Sequence, residues 1–208
     1  MGIRRGQEKL KRVLDLVMAI SSIIILFPLF IVIAILIKVT SPGPIIYKQA
    51  RVGQDGKIFT LYKFRTMVVG AEKMGAGYGM VPGDPRLTPC GAFLRRFSLD
   101  ELPQIFNVLK GEMSIVGPRP ALPYQVQMYT EEQKGRMRVR PGITGLAQIK
   151  GRNEIPWSSR IKLDNWYIDN YSLLLDFKII FLTFFVVLTG RGLRQDQKSE
   201  EVEDFQAH

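Results

Sequence analysis

Between Leu16 and Ile37 the chain carries no charged side chain, reading LVMAISSIIILFPLFIVIAILI. A run of about 20 apolar residues is long enough to cross a bilayer, and hydrocarbon forces the backbone to satisfy its own hydrogen bonds, so the segment must be helical. A cleaved leader has a shorter apolar region followed by small residues, whereas Lys38-Val39-Thr40-Ser41-Pro42 follows here, so the segment is expected to stay in the mature protein. Pro28 falls near its centre, where the ring removes a backbone donor and crowds the preceding turn, so a kink is expected there. Both flanks are basic: Arg4, Arg5, Lys9, Lys11 and Arg12 precede the run, and Lys38, Lys48 and Arg51 follow it. Moving either flank across the membrane opposes the positive-inside bias. A helix that enters, bends at Pro28 and returns to the cytoplasmic face meets both observations. A straight single span is the simpler alternative.

The remainder of the 208 residues suffices for one compact domain of about 150 residues. The expected division is a basic N-terminus with a re-entrant helix-break-helix over 1–40, a catalytic domain over 41–190, and a polar, disordered tail over 191–208. Ser41-Pro42-Gly43-Pro44 breaks the helix, and two β-rich runs flank Gln54-Asp55-Gly56, which predicts a hairpin over about 45–66. A period of two puts Phe59, Leu61, Lys63 and Arg65 on one face, with the two cations either solvated or reaching phosphate. Residues about 68–90, rich in glycine and proline, read as a loop over the site, and Met74–Pro82 within it as a candidate for substrate selectivity. Helical signals run from Ala92 to a glycine C-cap at Gly111, then over Tyr124–Arg138 and about 158–171, with a Gly-rich turn region between. Leu173–Leu188 carries Asp176 and Lys178, which leaves too short an uncharged stretch to span, and reads as an aromatic helix lying in the interface. The fold class expected is α+β, mostly helical, with interfacial amphipathic helices around a compact cytoplasmic catalytic region.

The excess of 29 Lys+Arg over 19 Asp+Glu gives a net charge of +10 and implies anionic partners: nucleic acid, acidic lipids or phosphorylated substrates. Cys90 is the sole cysteine and His208, at the C-terminus, the sole histidine. An internal disulfide, redox CxxC chemistry and a zinc ribbon are therefore excluded, as are Ser-His and Cys-His mechanisms. No Walker A loop or dinucleotide-binding glycine pattern occurs. Carboxylates lead the remaining candidates, and Asp100-Glu101 stands out in Ser98-Leu99-Asp100-Glu101-Leu102-Pro103-Gln104. Ser98 and Glu101 have the spacing of a capping box, which would make the pair a structural feature. Pro103, however, suits a helix start, and there the dipole favours both an ionised carboxylate and a bound phosphate. An ionised aspartate can attack phosphorus, and a neighbouring glutamate can hold Mg²⁺ together with substrate phosphate oxygens. Arg95, Arg119 and Arg152 are candidate phosphate clamps, Arg119 the foremost because Gly117-Pro118-Arg119-Pro120 stiffens its backbone.

Seven blocks in one order, KRVLDLV, SPGPIIYKQARVG, FTLYKFRTM, DPRLT, FLRRFSLDELPQIFNVLKGEMSIVGPRP, RPGITGLAQIKGRN and LDNWYIDNYSLLLDFKII, resemble the monotopic phosphoglycosyl transferases, the bacterial sugar transferase family. The resemblance implies that Asp100 is the nucleophile and Glu101 the Mg²⁺ ligand. It also implies that Lys63, Arg95, Arg119, Arg152 and Asp164 serve the substrate. It implies a UDP-sugar donor, a polyprenyl (undecaprenyl) phosphate acceptor, release of UMP, and a ping-pong reaction opening a glycoconjugate pathway at the cytoplasmic face of the bacterial inner membrane. It implies contacts with membrane lipids and none with nucleic acid, and leaves a homodimer open. The family breaks its membrane helix at Ser-Pro, whereas Phe27 precedes Pro28 here. Two other classes stay open on the residues alone: a membrane-anchored glycosyltransferase releasing UDP, and a non-enzymatic basic lipid-binding adaptor.

Overall fold

The computed structural model describes residues 5–75, 83–151 and 155–189. Arg152, the tail after residue 190 and most of the proposed selectivity segment lie outside them. The apolar run lies inside one long helix, α1 (Arg5–Thr40). Among the described residues it is the one helix long and apolar enough to cross a membrane. Helical bonding continues through Pro28, so the expected helix-break-helix is not an interruption. The proline is exposed, and its ring removes one backbone hydrogen bond and crowds the preceding turn without ending the helix. Asp15, Ala19, Ile33 and Ile37 are buried along one stripe, while Ile24, Ile25 and Phe27 are exposed. The centre of the apolar run thus faces away from the rest of the chain.

Both ends of α1 are fastened to the body. Near its start Lys11 Nζ lies 2.6 Å from Asp176 Oδ2, and Asp15 Oδ1 accepts from the Ser114 hydroxyl at 3.0 Å and the Ile115 N–H at 2.9 Å. At its exit Arg65, expected to share a face and a possible phosphate role with Lys63, is spent on the loop. Its guanidinium donates to the Pro44 carbonyl at 2.6 Å and to the Ser41 hydroxyl, Pro42 carbonyl and Ser41 carbonyl at 2.8 Å each. A guanidinium with its donors so filled fixes the direction in which the chain leaves the helix.

The hairpin forms as expected. Strands β1 (Ile46–Val52) and β2 (Ile58–Phe64) pair antiparallel in the register Ile46↔Phe64 to Val52↔Ile58. Asp55 and Gly56 both take positive φ, and the Lys57 N–H bonds to the Gln54 carbonyl at 3.1 Å. Both positive φ values suit the right-handed twist of a hairpin, which is why Asp-Gly marks it. Phe59 and Leu61 pack with Ala19 of α1 and with Ile105, Val108 and Met113, whereas Phe64 turns to Ile33, Ile37 and Leu94. The hairpin therefore shares one hydrophobic cluster with the first half of α1 and another with its second half.

Helix α2 (Gly91–Arg96), a tight turn at Leu99–Glu101 and α3 (Gln104–Lys110) follow, with Gly111 closing α3 in the left-handed conformation. Strands β3 (Ser114–Val116) and β4 (Gly142–Thr144) pair in parallel. The helix expected over Tyr124–Arg138 is instead three pieces: α4 (Pro123–Gln127), α5 (Glu131–Lys134) and a 3-10 turn at Gly135–Arg138. Thr130 causes the division. It leaves the helical region and caps the next segment, with its side chain and that of Gln133 bonded reciprocally to each other's N–H. The Gly-rich stretch after Arg140 folds into β4 and α6 (Leu146–Lys150) rather than staying a turn. Helices α7 (Trp157–Asp169) and α8 (Leu173–Thr189) complete the chain. On α8, Asp176 and Ile179 are buried, while Leu174, Phe177, Phe181, Phe184 and Leu188 form an exposed stripe.

Gly91 opens α2 against the main chain after β2, where an added Cβ would stand 2.0 Å from the Thr66 carbonyl oxygen. Gly6 in α1 has open space around it. Gly91→Ala is therefore expected to destabilise the folded protein by about 3 kcal/mol, and Gly6→Ala to stabilise it by about 0.5 kcal/mol, read as opposite shifts in thermal unfolding in detergent.

Candidate active site

Beyond the hairpin, β2 offers unpaired backbone groups that must find partners. Asn107 of α3 supplies them. Its Oδ1 accepts from the Tyr62 N–H at 3.1 Å, and its Nδ2 donates to the Thr60 carbonyl and to Glu112 Oε2, both at 2.7 Å. The side chain is completely buried, so α3 is held in one register against β2. Arg12 of α1 fixes the other end of α3, donating to the Val108 carbonyl at 2.6 Å and the Leu109 carbonyl at 3.1 Å, where the helix dipole favours a cation.

That docking brings the turn before α3 onto Lys63, at the end of β2. Lys63 Nζ stands 2.7 Å from Glu101 Oε1 and 3.8 Å from Asp100 Oδ2. Arg119, from the loop after β3, donates from Nη2 to the same Oε1 at 2.7 Å and from Nη1 to Oε2 at 3.4 Å. The capping-box reading does not hold. Ser98 lies in the left-handed region and its hydroxyl makes no cap, while the Glu101 side chain is taken by the two cations.

The adjacent carboxylates are pushed in opposite directions. Asp100 is only 5% exposed; burial raises its pKa, and the charges of Lys63 and Arg95 oppose that rise without cancelling it. Burial would also raise Glu101, but the charges of Arg119 and Lys63, with their hydrogen bonds, outweigh it and hold that carboxyl well below the usual range. Lys63 in turn is lowered by burial, against the pull of Glu101. The two neighbours therefore differ in basicity: Glu101 is held ionised, and Asp100 is the more basic carboxylate.

Of the residues expected at the site, Asp100, Glu101, Lys63 and Arg119 meet, and Arg95 acts on Asp100 through its charge from the last turn of α2. Arg152 lies outside the described residues. Asp164 does not reach the carboxylates. It is buried on α7 and paired with Arg136, Nη2 to Oδ2 at 2.6 Å, because an aspartate enclosed by protein needs a cation of its own. Two arginines were missed. Arg136 is one; the other is Arg51, half-buried near the end of β1, held by Gln49 and donating from Nη1 to the Pro120 carbonyl at 2.9 Å. Arg51 could have been found by extending the period of two across the hairpin. It pairs with Phe59, and directly opposed residues share a face, so it lies on the face that carries Lys63.

Among the described residues no group of three or more His, Cys, Asp or Glu side chains could hold a metal ion. Glu101 nevertheless keeps one oxygen lightly used. Both short contacts fall on Oε1, leaving Oε2 with the single 3.4 Å contact.

Residues 6–190 match the model of the family described as bacterial sugar transferase. The chain belongs to that family. An uncharacterized sugar transferase, EpsL, of Bacillus subtilis (strain 168) is 48% identical over 191 residues, covering 89% of this chain and 91% of that protein. The undecaprenyl-phosphate galactose phosphotransferase of Salmonella typhimurium is 41% identical over 204 residues, 91% of this chain but 42% of the relative. A UDP-N-acetylgalactosamine-undecaprenyl-phosphate N-acetylgalactosaminephosphotransferase of Aeromonas hydrophila is 42% identical, over 89% of this chain and 45% of its own length. The chain thus spans less than half of these two relatives and nearly all of the first. This bacterial sugar transferase is accordingly an enzyme, a sugar-phosphate transferase.

Because Asp164 pairs with Arg136 out of solvent, Asp164→Ala leaves a buried guanidinium without its carboxylate. The expected cost is about 3–5 kcal/mol of stability, measured as a lowered thermal unfolding midpoint, whereas alanine at the exposed pair partner Asp169 costs less than about 1 kcal/mol.

Proposed function

We propose that this enzyme moves a sugar 1-phosphate from a UDP-sugar to a polyprenyl phosphate through a phospho-sugar carried on Asp100. The observation that carries the reading is the adjacent pair of carboxylates, Asp100 buried and Glu101 mostly so, met by Lys63 and Arg119 and with opposed tendencies. An Asp100 oxygen attacks the sugar-bearing phosphorus, a P–O bond to the aspartate forms, and the bond to UMP breaks. The acceptor's phosphate oxygen then attacks the same phosphorus and frees the aspartate. Lys63, Arg95 and Arg119 are placed to receive negative charge on the transferring phosphate. The names of the Salmonella and Aeromonas relatives support the undecaprenyl-phosphate acceptor, and the Aeromonas name a UDP-linked donor. The lightly used Oε2 of Glu101 suits Mg²⁺, which favours one or two carboxylates completed by phosphate oxygens. Bound there, the ion would neutralise charge on the donor's diphosphate.

The same reading places α1 in one leaflet of the bacterial inner membrane, bent at Pro28, with the catalytic body on the cytoplasmic side. Two contacts support the bend. Arg12 touches the Val108 carbonyl, and the Phe30 ring lies 6.0 Å from that of Phe106, only two residues away on α3. In a straight helix positions 12 and 30 are about 27 Å apart. An axis bent around α3 brings both into reach. The exposed stripe of α8 suits the headgroup boundary beside it.

With Mg²⁺ and a UDP-sugar the purified protein is expected to release UMP, and Asp100→Asn to abolish release. UDP as product, or turnover in Asp100→Asn, would overturn the mechanism. Transfer requires ionised Asp100, so it should be lost as pH falls through that raised pKa. The acid limb of kcat/KM should therefore lie above the ordinary aspartate value near 4, and Lys63→Met, which removes a charge favouring the carboxylate, should move it higher. For the bend, single cysteines at Glu8 and Val39, both exposed, in a Cys90→Ser background should react with an impermeant maleimide only after intact cells are permeabilised. Labelling of just one from outside would contradict it.

A further inference from the structure

The segment Pro118-Arg119-Pro120 has two residues without an N–H, so its main chain must be held largely through its carbonyls. All three are taken. The Pro118 carbonyl accepts from the Gly142 N–H at 2.9 Å, the Pro120 carbonyl from Arg51 Nη1 at 2.9 Å, and the Arg119 carbonyl from Arg136 Nη2 at 2.8 Å. Arg136 reaches this carbonyl from inside the protein. Its side chain is 3% exposed, its Nη1 donates to the Tyr129 hydroxyl at 2.7 Å, and its Nη2 also meets Asp164 at 2.6 Å. The Arg119 side chain is different: 40% exposed, its acceptor is Glu101. A long side chain exposed to this degree meets its target reproducibly only if its Cα is fixed, since supporting groups decide whether a clamp holds to within a fraction of an ångström.

We infer that Arg136, seated on Asp164 and Tyr129, is a positioning residue for Arg119: by holding the Arg119 carbonyl it sets where that guanidinium meets Glu101 and the transferring phosphate. A buried ion pair by itself adds little net stability over a well-packed apolar substitute, so stability alone does not call for arginine here. The planar fork does one thing a hydrocarbon cannot. It bonds a carboxylate and a main-chain carbonyl at once, tying α7 to the loop after β3. The inference rests on the proposed role of Arg119, and the variants are chosen to separate the two.

Arg136→Lys keeps a cation beside Asp164, and the double variant Arg136→Met/Asp164→Asn removes both charges together, so both should fold, with thermal unfolding near that of the parent. UMP release from a UDP-sugar turned over by the parent should nonetheless fall in the double variant by about a hundredfold, as expected for a misplaced catalytic group. Arg119→Ala should cost a large factor in the parent and add little in the double variant, because the guanidinium it removes is already out of place. Losses that multiply, or a folded double variant with parental turnover, would overturn the positioning role. Should the double variant not fold, the same cycle in Arg136→Lys decides. Parental turnover in Arg119→Ala alone would instead remove the role of Arg119 itself, and the inference with it.

Discussion

The amide of Asn107 is the contact on which the rest of the site depends. It stands in for a neighbouring strand, taking the N–H of Tyr62 and the carbonyl of Thr60, and so converts an edge of a two-stranded hairpin into a dock for a helix. A lone hairpin is marginal in water, and each of these part-buried bonds contributes about 1 kcal/mol net to holding α3 on its edge. The register this sets is also chemical. Lys63 lies on the strand and Asp100-Glu101 lie just before the helix, so a slip of either element would separate the cation from the carboxylates.

The long apolar helix is part of this core and not a tether to it. Ala19 packs with Phe59 and Leu61 in one cluster, while Ile33 and Ile37 pack with Phe64 and Leu94 in another; the two clusters lie on opposite faces of β2. Arg12 closes α3, and Asp15 holds the first residues of β3, the strand that leads to Arg119. The turn that carries Asp100 and Glu101 is thereby tied to whatever depth and angle α1 takes. On the proposed reaction, with a lipid-borne phosphate as acceptor, that rigid link sets the height of Asp100 relative to the headgroups.

Legibility in the sequence followed the range of the interaction. The hairpin was readable because Asp55-Gly56 needs positive φ at two successive residues, and the end of α3 because Gly111 does. The acidic pair with Lys63 and Arg119 was readable through motifs resembling a known family. What escaped depended on partners distant in the chain. Nothing near Arg65 predicts that it will clamp the exit of α1, and nothing near Asp164 predicts that Arg136 will claim it. Thr130 and Gln133 did carry a local signal, a capping box inside a charged run, and reading through it produced one helix where there are two and a turn. Ser98 and Glu101 carried the same signal falsely, because two cations outbid the backbone N–H for the glutamate.

That competition also sets the two adjacent acids apart, as the proposed reaction requires. Asp100 is buried and Glu101 mostly so, and burial alone would raise the pKa of each. Glu101 receives two hydrogen-bonded cations on one oxygen; Asp100 receives Lys63 only at 3.8 Å, a distance that gives charge without a bond. A carboxylate tied up in hydrogen bonds is a poor nucleophile, since attack must first break them, whereas one stabilised by charge alone keeps its lone pairs available. The asymmetry arises from geometry. Successive residues in a tight turn point in different directions, and only Glu101 points at the place where the strand's lysine and the loop's arginine converge.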